Sequence, residues 1–334
     1  MKSQFAAELT EGCRVDAQFA VRAKEMRMAR TGDAYLAVEL ADRTGQLPGV
    51  WFRPSRELVS VPVGSVVTVR GTVTRYRGAK RISIDSLRPA ETWDPSDLMA
   101  AGPRDESELI ASFKALVSSV TDAGLSSMLH AVFGDREFLT RFRRCPGSQS
   151  YHHAYLGGLL EHTVAVAALC RSLGRTYPQA DGDLLVTAAL LHDVGKVDEL
   201  EFDTAIEYTS EGRLLGHVVL GLRRLREAAA RGHVLVSDDT LARLEHAMLS
   251  HHGELEWGSP KRPATLEALL LHHADNLDAK AAGFCSAIAG ASIAEEVWTD
   301  ASNLFRRPLY APRAAEDERF SASLEDDQYY RTSA

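Results

Sequence analysis

Between residues 12 and 90, apolar and polar side chains alternate in short runs. Residues 33–40 form one run, closed by the turn Asp42-Arg43-Thr44-Gly45. Residues 47–52 and 66–74 form two more, and after Arg77-Gly78 residues 81–84 pair back. Period-two alternation marks a strand with one buried face, and turn residues at this spacing predict a small barrel or sandwich. Residues 92–104 carry Pro95, Gly102 and Pro103 and read as a linker. Helical periodicity then takes over. An amphipathic helix runs over 107–123, shorter ones over 125–133 and 136–142, and longer ones over 156–173, 183–191, 215–231, 238–250 and 265–289. Residues 314–334 mix acidic, Ser and Tyr residues with few aliphatics, as a mobile tail does.

About five strands within roughly 75 residues fit an OB-fold, a five-stranded Greek-key barrel. The expected architecture is therefore α+β and multidomain. An N-terminal OB-fold β-barrel at 12–90 is followed by a linker and connecting helices at 91–145. An all-α domain at 146–312 and an acidic mobile tail at 313–334 complete it.

Composition narrows the class. A 45% hydrophobic and 25% charged content over 334 residues is that of an ordinary globular protein. No apolar run approaches the roughly 20 residues that span a bilayer, so no membrane partner is expected. Residues 1–15 carry Glu8 and Glu11 and show no apolar signal-peptide core. Cys13, Cys145, Cys170 and Cys285 form no CxxC pair, which argues against a disulfide framework or thiolate zinc site. These features favour the cytoplasm. The net charge of −8 is unevenly spread: residues 14–88 hold 14 Lys+Arg against 7 Asp+Glu. A basic N-terminal segment on an acidic body is compatible with polyanion binding at one end.

The strongest chemical signal is His192-Asp193, at the end of the apolar run Leu190-Leu191-His192-Asp193-Val194-Gly195-Lys196. Burying an imidazole or a carboxylate without a partner is costly, and a metal ion removes that cost. Eleven of the twelve histidines lie between His152 and His273. His162 alone would pass for a satisfied core histidine. With His192, Asp193 and Asp275 it completes a mixed nitrogen and oxygen site for one divalent ion. His217, His251 and His252 would serve a second ion if the Asp193 carboxylate bridges. Two such ions can clamp a phosphate for in-line displacement. Lys196, one helical turn from His192, is a candidate for stabilising negative charge developing on phosphorus. His272 and His273 are expected to pack or support.

The His162, His192-Asp193 and Asp275 pattern resembles the HD-domain metal-dependent phosphohydrolases, and His217 with His251 and His252 matches their two-metal subclass. The resemblance narrows further to the YhaM-type 3′–5′ exoribonucleases. In the N-terminal part it is carried by Leu40-Ala41-Asp42-Arg43-Thr44-Gly45 with Val50-Trp51, and by Val69-Arg70-Gly71 with Tyr76-Arg77-Gly78. Farther on it is carried by Tyr151-His152-His153 and Glu211-Gly212-Arg213-Leu214-Leu215-Gly216-His217. Leu249-Ser250-His251-His252-Gly253-Glu254-Leu255-Glu256-Trp257-Gly258-Ser259-Pro260 and Asp275-Asn276-Leu277-Asp278-Ala279-Lys280 complete it. The likeness covers roughly residues 15–300. It implies metal ligation by His162, His192, Asp193, His217, His251, His252 and Asp275. It also implies two divalent ions, manganese first with iron or cobalt as alternatives. Single-stranded RNA is the implied substrate and 5′-mononucleotides the products. Single-stranded DNA is a further substrate class, and a homo-oligomer is expected. Arg81 departs from the resemblance, which implies an uncharged polar residue there. Which of His251 and His252 binds metal directly stays open.

OB-folds hold single strands by stacking bases on aromatics and tracking the backbone with cations. Tyr35, Trp51, Phe52 and Tyr76 are candidate platforms, with Arg53, Arg75, Arg77, Lys80 and Arg81 as cations and His152 and His153 as further contacts. Neighbours on a strand face opposite ways, so at least one of Trp51 and Phe52 is expected in the core. Two other readings compete with an exonuclease. One is a nucleotide or cyclic-dinucleotide phosphohydrolase with a regulatory OB-fold; the other is a nucleic-acid-binding protein with a degenerate metal domain. The basic N-terminal segment speaks against the first and the complete ligand set against the second.

Overall fold

The computed structural model describes residues 2–28, 32–52, 54, 61–150, 153–293 and 297–312. Arg53, His152 and the expected tail at 313–334 lie outside the described residues. The chain divides into two compact units, Met1–Asp278 and Ala279–Ala334.

The larger unit begins with five strands: β1 Arg14–Met28, β2 Ala34–Asp42, β3 Gly45–Phe52, β4 Val66–Tyr76 and β5 Ala79–Pro89. They close a barrel in the order β1-β2-β3-β5-β4. All neighbours are antiparallel except β3 and β5, which meet in parallel at Gly49–Ile82 and Val50–Ser83. Alternate side chains along β2, β4 and the first part of β1 point inward, and Phe19, Leu40, Val67, Val69 and Ile82 fill the interior. The β4–β5 turn falls at Arg77 and Gly78, both with positive φ, which suits a two-residue hairpin. Below the barrel the Asp42 carboxylate accepts from Lys2 Nζ at 2.5 Å, Ala6 N at 2.8 Å, Thr44 N at 2.9 Å and Thr44 Oγ1 at 2.6 Å. These bonds pin the N-terminal segment to the β2–β3 turn.

The helices are α1 Glu106–Ser118, α2 Ala123–Phe133, α3 Arg136–Arg144, α4 Gly158–Thr176, α5 Gly182–Leu191, α6 Lys196–Glu199, α7 Ser210–Arg231, α8 Asp238–Ser250 and α9 Leu266–Ile293. Side chains of Asp105, Asp122, Asp135, Asp181, Thr209 and Ser237 cap six of them. The helix expected to run to residue 123 stops at Ser118, because the Asp122 carboxylate accepts from Leu125 N and starts α2. The helical part also holds a short ribbon, β6 Leu200–Glu201 against β7 Glu207–Tyr208. From Leu184 to Leu191 α5 is buried on every side, so its C-terminal end delivers His192-Asp193 into the core. Among the described residues no helix is long and apolar enough to cross a membrane. In the smaller unit Trp298 bridges to Tyr310.

Candidate metal centre

Five segments supply the chemistry. His162 sits in the second turn of α4, and His192-Asp193 follow α5 directly. His217 lies in α7, just after a break at Gly216, where φ is 72° and ψ 158°. His251-His252 follow α8, and Asp275 lies on α9. His162, His192, Asp193 and His251 are almost completely buried.

The two oxygens of Asp193 face different groups. Oδ2 lies 3.4 Å from His162 Nε2 and 3.3 Å from His192 Nε2. Oδ1 lies 3.4 Å from His217 Nε2 and 3.7 Å from His251 Nε2. Asp275 Oδ1 approaches His162 Nε2 to 3.2 Å and His192 Nε2 to 3.9 Å, on the Oδ2 side. His252 joins His217 and His251, with ligand atoms all within 4.8 Å of one another.

These residues fit divalent metal. Asp193 Oδ1, His217 Nε2 and His252 Nδ1 are buried polar atoms with no hydrogen-bond partner among the described residues. Such atoms are costly unless an ion meets them. The far sides of the rings are already committed. His192 Nδ1 lies 2.8 Å from Ala189 O and His251 Nδ1 2.7 Å from Met248 O. A carbonyl can only accept, so each Nδ1 carries the proton and each Nε2 presents its lone pair inward. His217 Nδ1 and its backbone N both reach Glu199 Oε1, at 3.2 and 2.9 Å.

The electrostatics agree. Burial works against charge on Asp193, yet Lys196 and His192 beside it hold its carboxyl well below the usual carboxylate range. Burial also opposes the His162 proton, but Asp193, Asp275 and Asp278 outweigh it and lift that pKa well above the ordinary value. The carboxylate side of the cluster therefore favours a positive charge. Burial and neighbouring imidazoles do the reverse at His251, well below the ordinary value, and at His252, lowered to about 4. Both rings stay neutral at pH 7, as ligands must.

Lys196 is buried rather than solvated. Its Nζ lies 2.6 Å from Asp193 Oδ2. Burial opposes its charge, but Asp193, Asp275 and Glu199 raise its pKa. His272 donates to His251 O at 2.9 Å, a supporting position. His153, expected among the strand contacts, is instead buried behind His162, with Nε2 2.9 Å from Asp278 Oδ2. Two acidic residues escaped the sequence reading. Asp278 accepts from His162 Nδ1 at 2.7 Å, and Glu199 orients His217. Asp278 stands three residues beyond Asp275, one helical turn on, and that spacing was the available signal.

The barrel carries a separate groove of about 980 Å³. Tyr35, Phe52, Tyr76, Lys80 and Arg81 line it together with Lys24. Of the neighbouring pair, Trp51 is 8% exposed and packs in the barrel core while Phe52 is 48% exposed. Strand parity thus places Trp51 in the core, which removes it from the candidate platforms, and leaves Phe52 among them. Tyr35 and Phe52 rings lie 5.5 Å apart, and the Arg81 guanidinium lies 4.5 Å from the Tyr76 ring centre. Arg75 turns away, to Glu11 at 3.2 Å and the Gly78 carbonyl at 3.0 Å. Arg77 sits at the turn with its guanidinium 5.5 Å from the Tyr76 ring.

Comparison with known proteins adds two family matches: the HD domain over residues 159–280 and an OB-fold nucleic acid binding domain over 18–90. The chain is 33% identical over 274 residues to the 3′-5′ exoribonuclease YhaM of Geobacillus sp. (strain WCH70), covering 80% of this chain and 83% of that protein. It is 30% identical over 273 residues to the proteins of the same name from Bacillus velezensis and Bacillus subtilis (strain 168), covering 80% of this chain and 86% of each. Among solved structures, the second OB-fold domain of replication protein A from Methanococcus maripaludis matches 28% of this chain and 98% of that one, with 21% identity and a TM-score of 0.24.

Proposed function

Because the chain belongs to the YhaM 3′-5′ exoribonuclease family, we propose that it shortens single-stranded RNA from the 3′ end, releasing 5′-mononucleotides at a centre for two divalent ions. It is a metal-dependent exoribonuclease with an OB-fold and an HD domain. The observation that carries the two-ion reading is the split of Asp193, whose Oδ2 faces His162 and His192 while Oδ1 faces His217 and His251.

When bound, divalent ions at such a centre lower the pKa of water and offset charge on a phosphoryl group. His162, His192 and Asp275 would hold one ion and His217, His251 and His252 the other, with Asp193 shared. The donor set mixes imidazoles, which suit iron and its later first-row neighbours, with carboxylates, which suit manganese. Lys196 keeps a positive charge beside Asp193, where an incoming phosphate meets the cluster. Glu199 and the carbonyls of Ala189 and Met248 fix the rings, so little reorganisation is left for the reaction.

The barrel groove supplies the hold on the strand. Tyr35, Phe52 and Tyr76 give bases faces to stack on, and Arg81 beside Tyr76 is the cation for phosphates, while Lys24 and Lys80 line the groove with their ammoniums donating to the Val61 and Leu9 carbonyls. Every base has a stacking face and both backbones carry phosphate, so single-stranded DNA is included in the proposal. A homo-oligomer in the cytoplasm is proposed as well; four free cysteines support that compartment. The cyclic-dinucleotide reading is less favoured, because an open groove lined by several aromatics and cations suits a polymer. The deciding experiment is mass analysis of products from 3′-blocked and unblocked RNA oligomers with added manganese. Ordered loss of 5′-mononucleotides from the unblocked oligomer alone is expected. Equal cleavage of both would overturn the directionality.

A further inference from the structure

His153 has no part in the chemistry described so far, yet its backbone and ring are both tied down. Its φ of 52° lies in the left-handed region, which few residues other than glycine enter, histidine more often than most. Its carbonyl accepts from Gly147 N and from Tyr155 N, each at 2.9 Å. Two glycines make room for it: a Cβ on Gly158 would stand 2.0 Å from His153 O, and one on Gly147 2.7 Å from His153 Cβ. Backbone held this way persists only where its surroundings over-determine it, and such positions cluster at functional sites.

The ring has a partner at each nitrogen. Nδ1 lies 2.8 Å from the Tyr155 hydroxyl, which donates to Glu161 Oε2 at 2.8 Å. Nε2 lies 2.9 Å from Asp278 Oδ2, and the same oxygen accepts from His162 Nδ1 at 2.7 Å. The chain Glu161–Tyr155–His153–Asp278–His162 therefore ends on a residue whose other nitrogen faces Asp193 and Asp275.

His153, His162 and Asp278 would also pass as a third metal site by residue type. Spacing decides against it. Donor atoms bound tetrahedrally at about 2.0–2.1 Å stand roughly 3.3 Å from one another. The contacts of Asp278 Oδ2, at 2.7 and 2.9 Å, are hydrogen bonds. The contacts around Asp193, at 3.3 and 3.4 Å, have the spacing of co-ligands.

We propose that His153 is a positioning residue for the metal centre: by donating to Asp278 it fixes the carboxylate that holds His162 with Nε2 turned to the ion. The inference rests on the metal-centre reading above. Partners of this kind typically change metal affinity by about 10–100-fold when lost.

The test is calorimetric titration of the metal-free full chain with MnCl2. His153→Phe keeps the ring and removes the donor; His153→Gln puts an amide donor near the place of Nε2. The expected result is a loss of about 10–100-fold in one Mn2+ affinity for His153→Phe, with the other binding event unchanged. His153→Gln should stay within about threefold of wild type. Wild-type binding by a folded His153→Phe would overturn the proposal, as would equal loss at both events. If His153→Phe does not fold, Tyr155→Phe decides, because it deletes only the hydroxyl on Nδ1. A loss of about threefold or more at one event supports the chain of bonds, and an unchanged affinity overturns it. Absence of Mn2+ binding by the wild-type protein would sink the metal-centre reading itself, a result distinct from any of these.

Discussion

Lys196 Nζ and Asp193 Oδ2 form an ion pair of 2.6 Å, buried among the clustered histidines. A pair so placed couples two properties that are usually separate. The carboxylate is shared by both halves of the candidate centre, and the ammonium compensates it when no metal is there.

Asp193→Ala is expected to lower RNA hydrolysis by about 10³-fold or more, because it withdraws a donor from both proposed ions at once. Circular dichroism should be unchanged. Initial rates on 5′-labelled RNA, read beside the manganese content of the purified variant, check it. Substantial activity in a folded variant would remove Asp193 from the shared position.

Lys196→Met should behave differently with and without metal. Removing one partner of a buried pair strands the other, at a cost of about 3–5 kcal/mol. The metal-free variant should therefore be destabilised by about that amount, and saturating manganese should recover most of it, since an ion takes over the compensation. Urea unfolding of wild type and variant, each with and without manganese, reads the difference. Equal losses in both conditions would contradict the coupling.

In the barrel, neighbouring aromatics should separate cleanly. Phe52→Ala or Tyr76→Ala should weaken binding of RNA of ten or more nucleotides by about 1–3 kcal/mol per lost stack, leaving a small phosphodiester ester unaffected. Trp51→Ala should instead cost about 3–5 kcal/mol of stability as a core truncation. Fluorescence anisotropy with labelled RNA and thermal unfolding distinguish the two. Loss of RNA affinity from Trp51→Ala at full stability would reverse the placement.

Asp42 sets an acid limit on the barrel. Burial raises its pKa, but the hydrogen bonds from Lys2, Thr44 and Ala6 outweigh it, so the folded value lies below the unfolded one. Its contribution is present above the unfolded value of about 3.9 and disappears as pH falls through the lower folded value. The Lys2 pKa is lowered too, because burial outweighs the attraction of Asp42. Asp42→Asn should flatten the stability profile below about pH 4, and Asp42→Ala should cost about 3–5 kcal/mol near neutrality. Unfolding titrations from pH 2 to 7 test both.

His192-Asp193 was legible in the sequence because a histidine and a carboxylate at the end of an all-apolar helix have few other physical explanations. The barrel was legible from alternation in β2 and β4. The length of β1 was not, since beyond Ala23 it runs out with exposed Met26 and Met28 and loses its alternation. Trp51 and Phe52 could not be ordered without register, because strand parity says only that they differ. His153 reads as a strand contact next to His152, and only the fold brings it to Asp278, 125 positions away. Glu199 was hidden similarly: its partner His217 lies across the β6–β7 ribbon in sequence.

The break at Gly216 has a consequence for how this centre tolerates change. A continuous helix would tie the direction of His217 to every residue before it, about 100° per position. With Gly216 non-helical, the stretch before it and the stretch that begins at His217 have independent phase, and Glu199 sets the second by binding both the backbone N and Nδ1 of His217. Exposed positions of the leading stretch, such as Leu214 at 82%, can thus change while the aim of His217 stays put, whereas Gly212 in the same stretch lies against the Glu199 backbone and is fixed.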